Sequence, residues 1–414
     1  MSTEDVQPPR PTLFSFPGTH HYLNPSRIPS ERDVVALSAP GIAIRWAAVL
    51  SAIGIMLTAI YLIVDGIHSL GSGTVARLFD LAANPLVGLL VGILATAAIQ
   101  SSSTVTALTV AAVGTGAVPV SVAIPVILGA NIGTTITASI VSFGFLGHRE
   151  EFQRAFTAAS LHRWFNVFFV ALIFPLELLF QPLQRLSDLL ADTLTGDSPT
   201  PITTGSWVFS LFTPLIDLIG TRGLLGWLFA PQVAAVVSAV MGTVFVLVAV
   251  RLMNSQLRTI MAASTRTLLK RSSGNSDALG IAVGTLVTMT VQASAVTVSS
   301  LLPFAAAKTL KQREALFLIL GANIGTTFLS LFTALAVPGT MGSFALQAAL
   351  VHMLFNLIGA LLVLLIPPLR DLLLRLAETS GRAAARGYGI AALAIALSYL
   401  AGPAVLFLGY LIIF

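Results

Sequence analysis

Cysteine is absent from the 414 residues and charge is scarce: Asp, Glu, Lys and Arg together make up only 9% of the chain. Without thiols there is no disulfide framework, no thiolate metal site and no cysteine nucleophile. A soluble domain carries about a quarter charged residues, so this chain has too few to coat a surface facing water. Its acidic residues form no cluster that would hold a divalent metal permanently, and no resident cofactor is expected. There is no HExxH, no Ser/His/Asp constellation at one depth and no acidic pair inside the apolar stretches, which argues against an enzyme.

What the chain has instead is apolar residues, 56% of the total. That much apolar surface requires lipid as its solvent, and the expectation is one polytopic, all-α integral membrane domain. The net charge of +5 does not indicate nucleic acid, because the cations collect in short loops between apolar stretches. Such loop charge orients a membrane protein. Residues 1–40 are polar and rich in proline, with Arg10, Arg27 and Arg32, and lack a signal-peptide pattern. They are expected to form a disordered cytoplasmic tail.

Apolar stretches long enough to cross run over about 42–66, 119–143, 154–180, 227–250, 313–335, 344–367 and 388–413. Two others, 84–118 and 277–307, carry a polar break near the middle and fit re-entrant hairpins of two half-helices. With the tail inside, the acidic loop with Asp188, Asp192 and Asp197 falls outside. The clusters Arg251 to Arg271, Lys308 to Arg313 and Arg370 to Arg386 all fall inside. Segment 206–222, interrupted by Pro214 and Asp217, reads as an interfacial helix. The expected organisation is repeat 1 over 41–180, an extracytoplasmic loop over 181–226, repeat 2 over 227–367, and a basic loop with a final span over 368–414. Three crossings per repeat make the two copies inverted.

The duplication is explicit. ILGANIGTT occupies 127–135 and recurs unchanged 192 positions later at 319–327. Gln100 opens a small-polar run, Ser101-Ser102-Ser103-Thr104, 29 positions before Gly129, and Gln292-Ala293-Ser294-Ala295 stands 29 before Gly321. His162/Asn166 and His352/Asn356 follow, each pair one helical turn apart. Internal repeats with polar, Gly-rich breaks in apolar segments mark secondary transporters.

A break at membrane depth frees backbone groups that lipid cannot satisfy, so it must face protein, water or a ligand. A half-helix starting after Ser103 would offer N–H groups and a positive dipole end to an anion. The carbonyls ending near Gln100, with serine and threonine hydroxyls, suit Na⁺. The GANIGTT segments are expected to add a second break. There Gly129, Gly133, Gly321 and Gly325 would allow close backbone approach, and Asn131, Thr134, Thr135, Asn323, Thr326 and Thr327 would supply neutral oxygens.

Blander roles are assigned elsewhere. Gly88/Gly92 and Gly280/Gly284 are small-xxx-small packing pairs. His162, Asn166, His352 and Asn356 are expected to make interhelical hydrogen bonds rather than touch a substrate. Arg163, halfway along its segment, must snorkel or pair. Asp65 and Glu177 sit at segment ends, and Trp46, Trp207 and Trp227 fit headgroup anchors.

These motifs resemble the type II sodium/phosphate cotransporter family, which carries a QSSS motif and a G-[AS]-N-I-G-T-[ST] segment in each of two inverted repeats. Gln100 to Thr104, Gly129 to Thr135 and Gly321 to Thr327 carry the likeness, over roughly 80–370. The resemblance implies sodium-coupled uptake of inorganic phosphate by alternating access, in the cytoplasmic membrane, with Na⁺ as co-transported ion. It places phosphate at Gln100, Ser101, Ser102, Ser103, Gln292 and Ser294. It places sodium near Thr104, Asn131, Thr134, Thr135, Asn323, Thr326 and Thr327. Ala293 and Ala295 depart from the motif by lacking two hydroxyls. A carrier of another small anion or a dicarboxylate, and a channel or non-transporting scaffold, are the alternatives; a homodimer is compatible with either class.

Overall fold

The computed structural model describes residues 39–70, 84–114, 116–195, 213–272, 276–335, 337, 341–393, 395–397 and 399. The expected tail up to residue 38, Trp207, the first seven residues of segment 206–222 and the end of the last span lie outside them. Every regular element among the described residues is helical. Five helices are long and apolar enough to cross a membrane: Pro40–Ile63, Val120–Phe145, Arg149–Phe180, Gln312–Leu335 and Met341–Leu365.

In chain order, α1 is Ala39–Ser69, α2 Pro85–Ile99 and α3 Ser102–Gly114. Helix α4 is Val120–Gly133, α5 Thr135–Ser142, α6 Arg149–Phe180 and α7 Pro182–Thr195. Two short helices, α8 Thr213–Ile219 and α9 Leu224–Leu228, precede the 42-residue α10 Pro231–Ser272. The second half then gives α11 Asp277–Val291, α12 Ser294–Ala306, α13 Gln312–Leu335, α14 Met341–Leu365 and α15 Pro367–Arg386.

Local chemistry sets the half-helix boundaries. Asn84 caps α2, its Oδ1 accepting from the Leu86 N–H at 2.9 Å, and Pro85 supplies a first-turn residue with no donor to satisfy. Ser276 caps α11 in the same way at the Leu279 N–H, 3.3 Å away. Both helices then stop at a glutamine in the left-handed region, Gln100 at φ 60° and Gln292 at φ 56°.

The expected close approaches are present and obey the 192-residue offset. A Cβ on Gly92 would lie 2.1 Å from the Val126 carbonyl oxygen, and one on Gly129 would lie 2.1 Å from that of Leu89. In the second half a Cβ on Gly284 would meet the Leu318 oxygen at 2.1 Å, and one on Gly321 the Ile281 oxygen at 2.0 Å. Helices α2 and α4, and likewise α11 and α13, therefore cross backbone to backbone. Such contact is how helices gain dispersion energy in lipid, where apolar burial drives little association.

Three expectations change. The GANIGTT segments are not breaks: α13 runs straight through the second, and Thr134 in the first keeps right-handed helical angles, its N–H reaching Ala130 at 3.1 Å. Their glycines lie against a crossing helix, which holds the backbone in place. The basic loop at 368–386 is the amphipathic helix α15, whose Leu373, Ala377, Gly381 and Ala384 are buried. It packs on α6, with Trp164 Nε1 donating to Ser380 Oγ at 2.9 Å. The loop after α6 begins as helix α7. Glu177, near the end of α6, is buried and caps α7, accepting from the Leu183 and Gln184 N–H groups at 2.7 and 3.0 Å.

Of segment 206–222, the described part contains the seven-residue α8, about 10 Å long and too short to cross by itself. Asp65 at the end of α1 holds Thr221 just after it, accepting from its N–H and its hydroxyl at 2.7 Å each. The main core joins both halves: Phe165 and Phe169 of α6 meet with ring centres 4.8 Å apart and planes tilted by 45°, and α14 approaches them at Gly359, where a Cβ would lie 2.9 Å from the Phe165 ring.

Gly321→Ala is expected to destabilise the protein by roughly 1–3 kcal/mol, because its methyl would collide with backbone. Gly147→Ala, with nothing within 4 Å of the added carbon, should stay within about 0.5 kcal/mol of wild type. Thermal unfolding in detergent compares the two directly.

Candidate functional site

The two broken helices meet. Ser103 Oγ, in the first turn of α3, lies 2.9 Å from the backbone carbonyl of Gln292 at the opposite break. The same oxygen is 2.6 Å from Thr326 Oγ1 on α13. Ser103 has one proton, which the carbonyl takes, so Thr326 must be the donor in the second bond. A left-handed glutamine is costly, and here the carbonyl it exposes is satisfied by the other half of the chain.

Within each tip the chemistry differs. Ser101 caps α3: its Oγ accepts from the Thr104 N–H at 3.3 Å and pairs with Thr104 Oγ1 at 2.8 Å. At the matching place Ala293 has no hydroxyl, and α12 begins without a side-chain cap. The second tip also keeps unused polar capacity, since the buried Ser294 Oγ and Gln292 Oε1 have no partner. Ser102 and Ser103 are buried, whereas Gln100 is exposed and accepts from Thr137 Oγ1 at 3.4 Å. Ala295 stands where a mate of Ser103 would reach back toward Gln100, so the direct bond between tips exists in one direction only.

The expected oxygen ligands divide into two groups. Thr104 and Thr326 belong to the tips, and Thr134, the counterpart of Thr326, is buried between α4 and α5. Thr135 and Thr327 turn to their own helices, donating to the carbonyls of Ile132 and Ile324 at 2.8 Å.

Asn131 and Asn323 form a crossed ladder with the His/Asn pairs. Asn356 Nδ2 of the second half donates to Asn131 Oδ1 of the first at 3.1 Å. Asn323 of the second half faces the first, accepting from His162 Nε2 at 2.8 Å and donating to Asn166 Oδ1 at 3.4 Å. Each asparagine on α6 and α14 also donates back to its own histidine carbonyl, at 2.8 Å for Asn166 and 3.0 Å for Asn356. His162 must carry its proton on Nε2, because an amide oxygen can only accept. His352 makes a different bond, Nδ1 to Ser330 Oγ at 3.3 Å. The asparagines and His162 thus tie one half to the other, while His352 ties α14 to α13 within the second half.

Among the described residues no group of three or more His, Asp or Glu can hold a metal ion. Cations here would find hydroxyl, amide and carbonyl oxygens, a donor set suited to a hard monovalent ion.

Sequence reasoning missed Thr137, which touches Gln100. A threonine two residues beyond GANIGTT was the available signal, and its single hydroxyl does not stand out among the many threonines of this region.

A duplicated bundle in which two broken helices abut at a polar centre is the architecture of a membrane carrier. The Na+/Pi-cotransporter family model matches residues 55–187 and 245–401, well over half of the chain, and the chain belongs to that family. It is 28% identical to the sodium-dependent phosphate transport protein 2A of Ovis aries, over 94% of this chain and 72% of that protein. The Mus musculus protein 2A is 29% identical over 85% of this chain and 67% of its own. The Rattus norvegicus protein 2C is 31% identical over 69% and 58%. No solved structure matches.

A double-mutant cycle on Asn131→Ala and Asn356→Ala is expected to show a favourable coupling of about 0.6–1.7 kcal/mol, read from melting in detergent. A coupling near zero would mean that the ladder does not hold the halves together.

Proposed function

We propose that this protein is a sodium-coupled symporter of inorganic phosphate that works by alternating access, its site lying between the tips at Gln100 and Gln292. The observation that carries this is the direct bond from Ser103 to the Gln292 carbonyl, beside the unpartnered Ser294 Oγ and Gln292 Oε1. Two breaks that belong to different halves of the chain share one place, and that place has hydrogen-bonding capacity unused by the protein. The relatives are named for sodium-dependent phosphate transport, which agrees with this chemistry.

Phosphate would take donors from the N-terminal turns of α3 and α12, with Ser102, Ser103, Ser294 and the Gln100 and Gln292 amides around it. Gln100 is positioned to use its amide because it is exposed rather than packed. Na⁺ would sit beside the anion against the hydroxyls of Thr104, Thr134 and Thr326 and the carbonyls that end α2 and α11. Sodium there offsets the anion's charge, so phosphate binding depends on it.

The halves form inverted repeats, with α2–α3 and α11–α12 as hairpins that enter from opposite faces. The 192-residue offset between the Gly92/Gly129 and Gly284/Gly321 crossings supports two equivalent units, and the loop charges support opposite orientations. The N-terminus is then cytoplasmic and the protein a multi-pass component of the cell membrane.

Ala293 and Ala295 favour a second reading, a different small anion, because the second tip offers fewer hydroxyls than the first. Competition of sulfate and dicarboxylates against labelled phosphate separates the two.

In proteoliposomes, an imposed inward Na⁺ gradient should drive concentrative phosphate uptake, and K⁺ or proton gradients should not. Gln100→Ala should reduce that uptake by about two orders of magnitude while leaving insertion and melting unchanged. Normal sodium-driven uptake in this variant would contradict the site.

A further inference from the structure

Helix α15 lies along a membrane surface. Helices α6 and α13 are long and apolar enough to cross, so their first turns mark where hydrocarbon ends. Both first turns lie on one side, because Arg154 Nε of α6 donates at 2.6 Å to the carbonyl of Ala306, the end of α12 just before α13. Helix α15 is tied to that side at each end. Near its start Arg370 Nη1 stands 4.0 Å from Asp277 Oδ2, and the other oxygen of that carboxylate accepts from Arg313 Nε of α13 at 3.0 Å. Near its end the Ala385 carbonyl accepts from Arg149 Nε of α6 at 2.7 Å. A helix of about 30 Å fixed to one surface at both ends runs along it and does not cross.

Its faces are sorted. At about 3.6 residues per turn, Leu373, Ala377, Gly381 and Ala384 form the buried stripe, and the helix packs on α6. One flank carries Leu372, Leu376 and Ala383, and the other carries Asp371 and Glu378. Between the flanks, opposite the buried stripe, stand Arg375, Arg382 and Arg386, all exposed and within about 40° of arc. Leu372 is exposed as well, and so are Leu365 and Ile366 just before the helix.

The fold leaves these arginines unengaged. Among the described residues Arg375 and Arg386 make no ion pair, and Arg382 meets Glu378 only at 3.9 Å, where both side chains face solvent. Arg149, exposed beside Ala385, brings a fourth cation to the same end. A face made only for water has no need of leucines beside its cations. The order around α15 is apolar flank, basic face, acidic flank, and it follows the depth order of a leaflet: acyl chains, phosphates, water. Arginine stems can cover the apolar boundary while their guanidinium groups reach the phosphates.

We propose that α15 is a docking surface for anionic phospholipid, its outer face binding head-group phosphates of the leaflet at which α6 and α13 begin. Arg382 and Arg386 are one turn apart and Arg375 lies about 10 Å further back along the axis, so the stripe engages more than one head group. The guanidinium fork matches phosphate oxygens, and a leaflet rich in anionic lipid carries a negative surface potential that draws such residues. Arg370 joins α15 to Asp277, the first residue of α11, so lipid docked on α15 steadies the base of the second broken helix. The proposal is independent of which anion the protein transports.

The test titrates full-length protein in mixed micelles with a fluorescent phosphatidylglycerol, and with a phosphatidylcholine of the same chains as the neutral control. Wild type should bind the phosphatidylglycerol much more tightly, and added KCl should weaken that binding, because exposed charges are screened. The combined variant Arg375→Gln, Arg382→Gln, Arg386→Gln should lose about a hundredfold in affinity, and each single variant about fivefold. Arg185→Gln, an exposed arginine of α7, should keep the wild-type affinity. Equal binding of the two lipids by wild type overturns the proposal, as does an unchanged affinity in the combined variant. If the combined variant does not fold, the single variants decide, and three unchanged affinities overturn it. Inorganic phosphate should displace the lipid no better than KCl at equal ionic strength; stronger displacement would mark a site for a soluble anion and overturn the assignment to lipid.

Discussion

Hydrocarbon offers no hydrogen bonds, so a helix interrupted within it needs every freed N–H and C=O answered by protein, water or cargo. That constraint explains why the two interruptions lie together. Gln100 and Gln292 adopt the same left-handed geometry, and the carbonyl at Gln292 is answered by Ser103 from the other half. The second break is not self-sufficient. The first half of the chain supplies what it leaves open, and the asparagine ladder crosses between the halves as well: Asn131 takes its partner from α14 and Asn323 from α6.

The duplication is closer in backbone than in side chains. Crossing glycines, caps and left-handed glutamines recur at the same offset. Hydroxyls do not. Thr288 bonds Thr297 across the second hairpin at 2.8 Å, whereas the equivalent Thr96 faces a valine position and stays unpartnered. Ser101 and Ser103 face Ala293 and Ala295 in the alignment of the halves. The first tip is therefore closed by its own hydrogen bonds, and the second retains free polar atoms. A difference of this kind lies in a few oxygen atoms and leaves the architecture untouched.

Much of this was legible in the chain. The repeated ILGANIGTT and the two glutamine-led runs announce two units, and a polar break at membrane depth already implies a partner across the bundle. The small-xxx-small pairs name the crossing faces. The glycines of GANIGTT misled because glycine signals both a break and a close approach, and only the helix lying against Gly321 decides between them. Helix α15 was hidden by its arginines: their charge reads as loop, while the apolar period of Leu373, Ala377, Gly381 and Ala384 is the stronger fact. The crossed direction of the His/Asn pairs depends on which helices neighbour each other in space. A repeat unit does not encode that locally.

The backbone-to-backbone crossings also decide where this molecule can bend. With carbonyls from Leu89 and Val126 seated against Gly129 and Gly92, and those of Ile281 and Leu318 against Gly321 and Gly284, neither helix of a pair can slide or roll without a collision. Each pair behaves as one welded beam. Flexing is left to the joints at Gln100 and Gln292, where the ladder of helical bonds is interrupted, and to the thin seam of hydroxyls between them. The stiffest and the most pliable parts of the protein are thus separated by a single helix length.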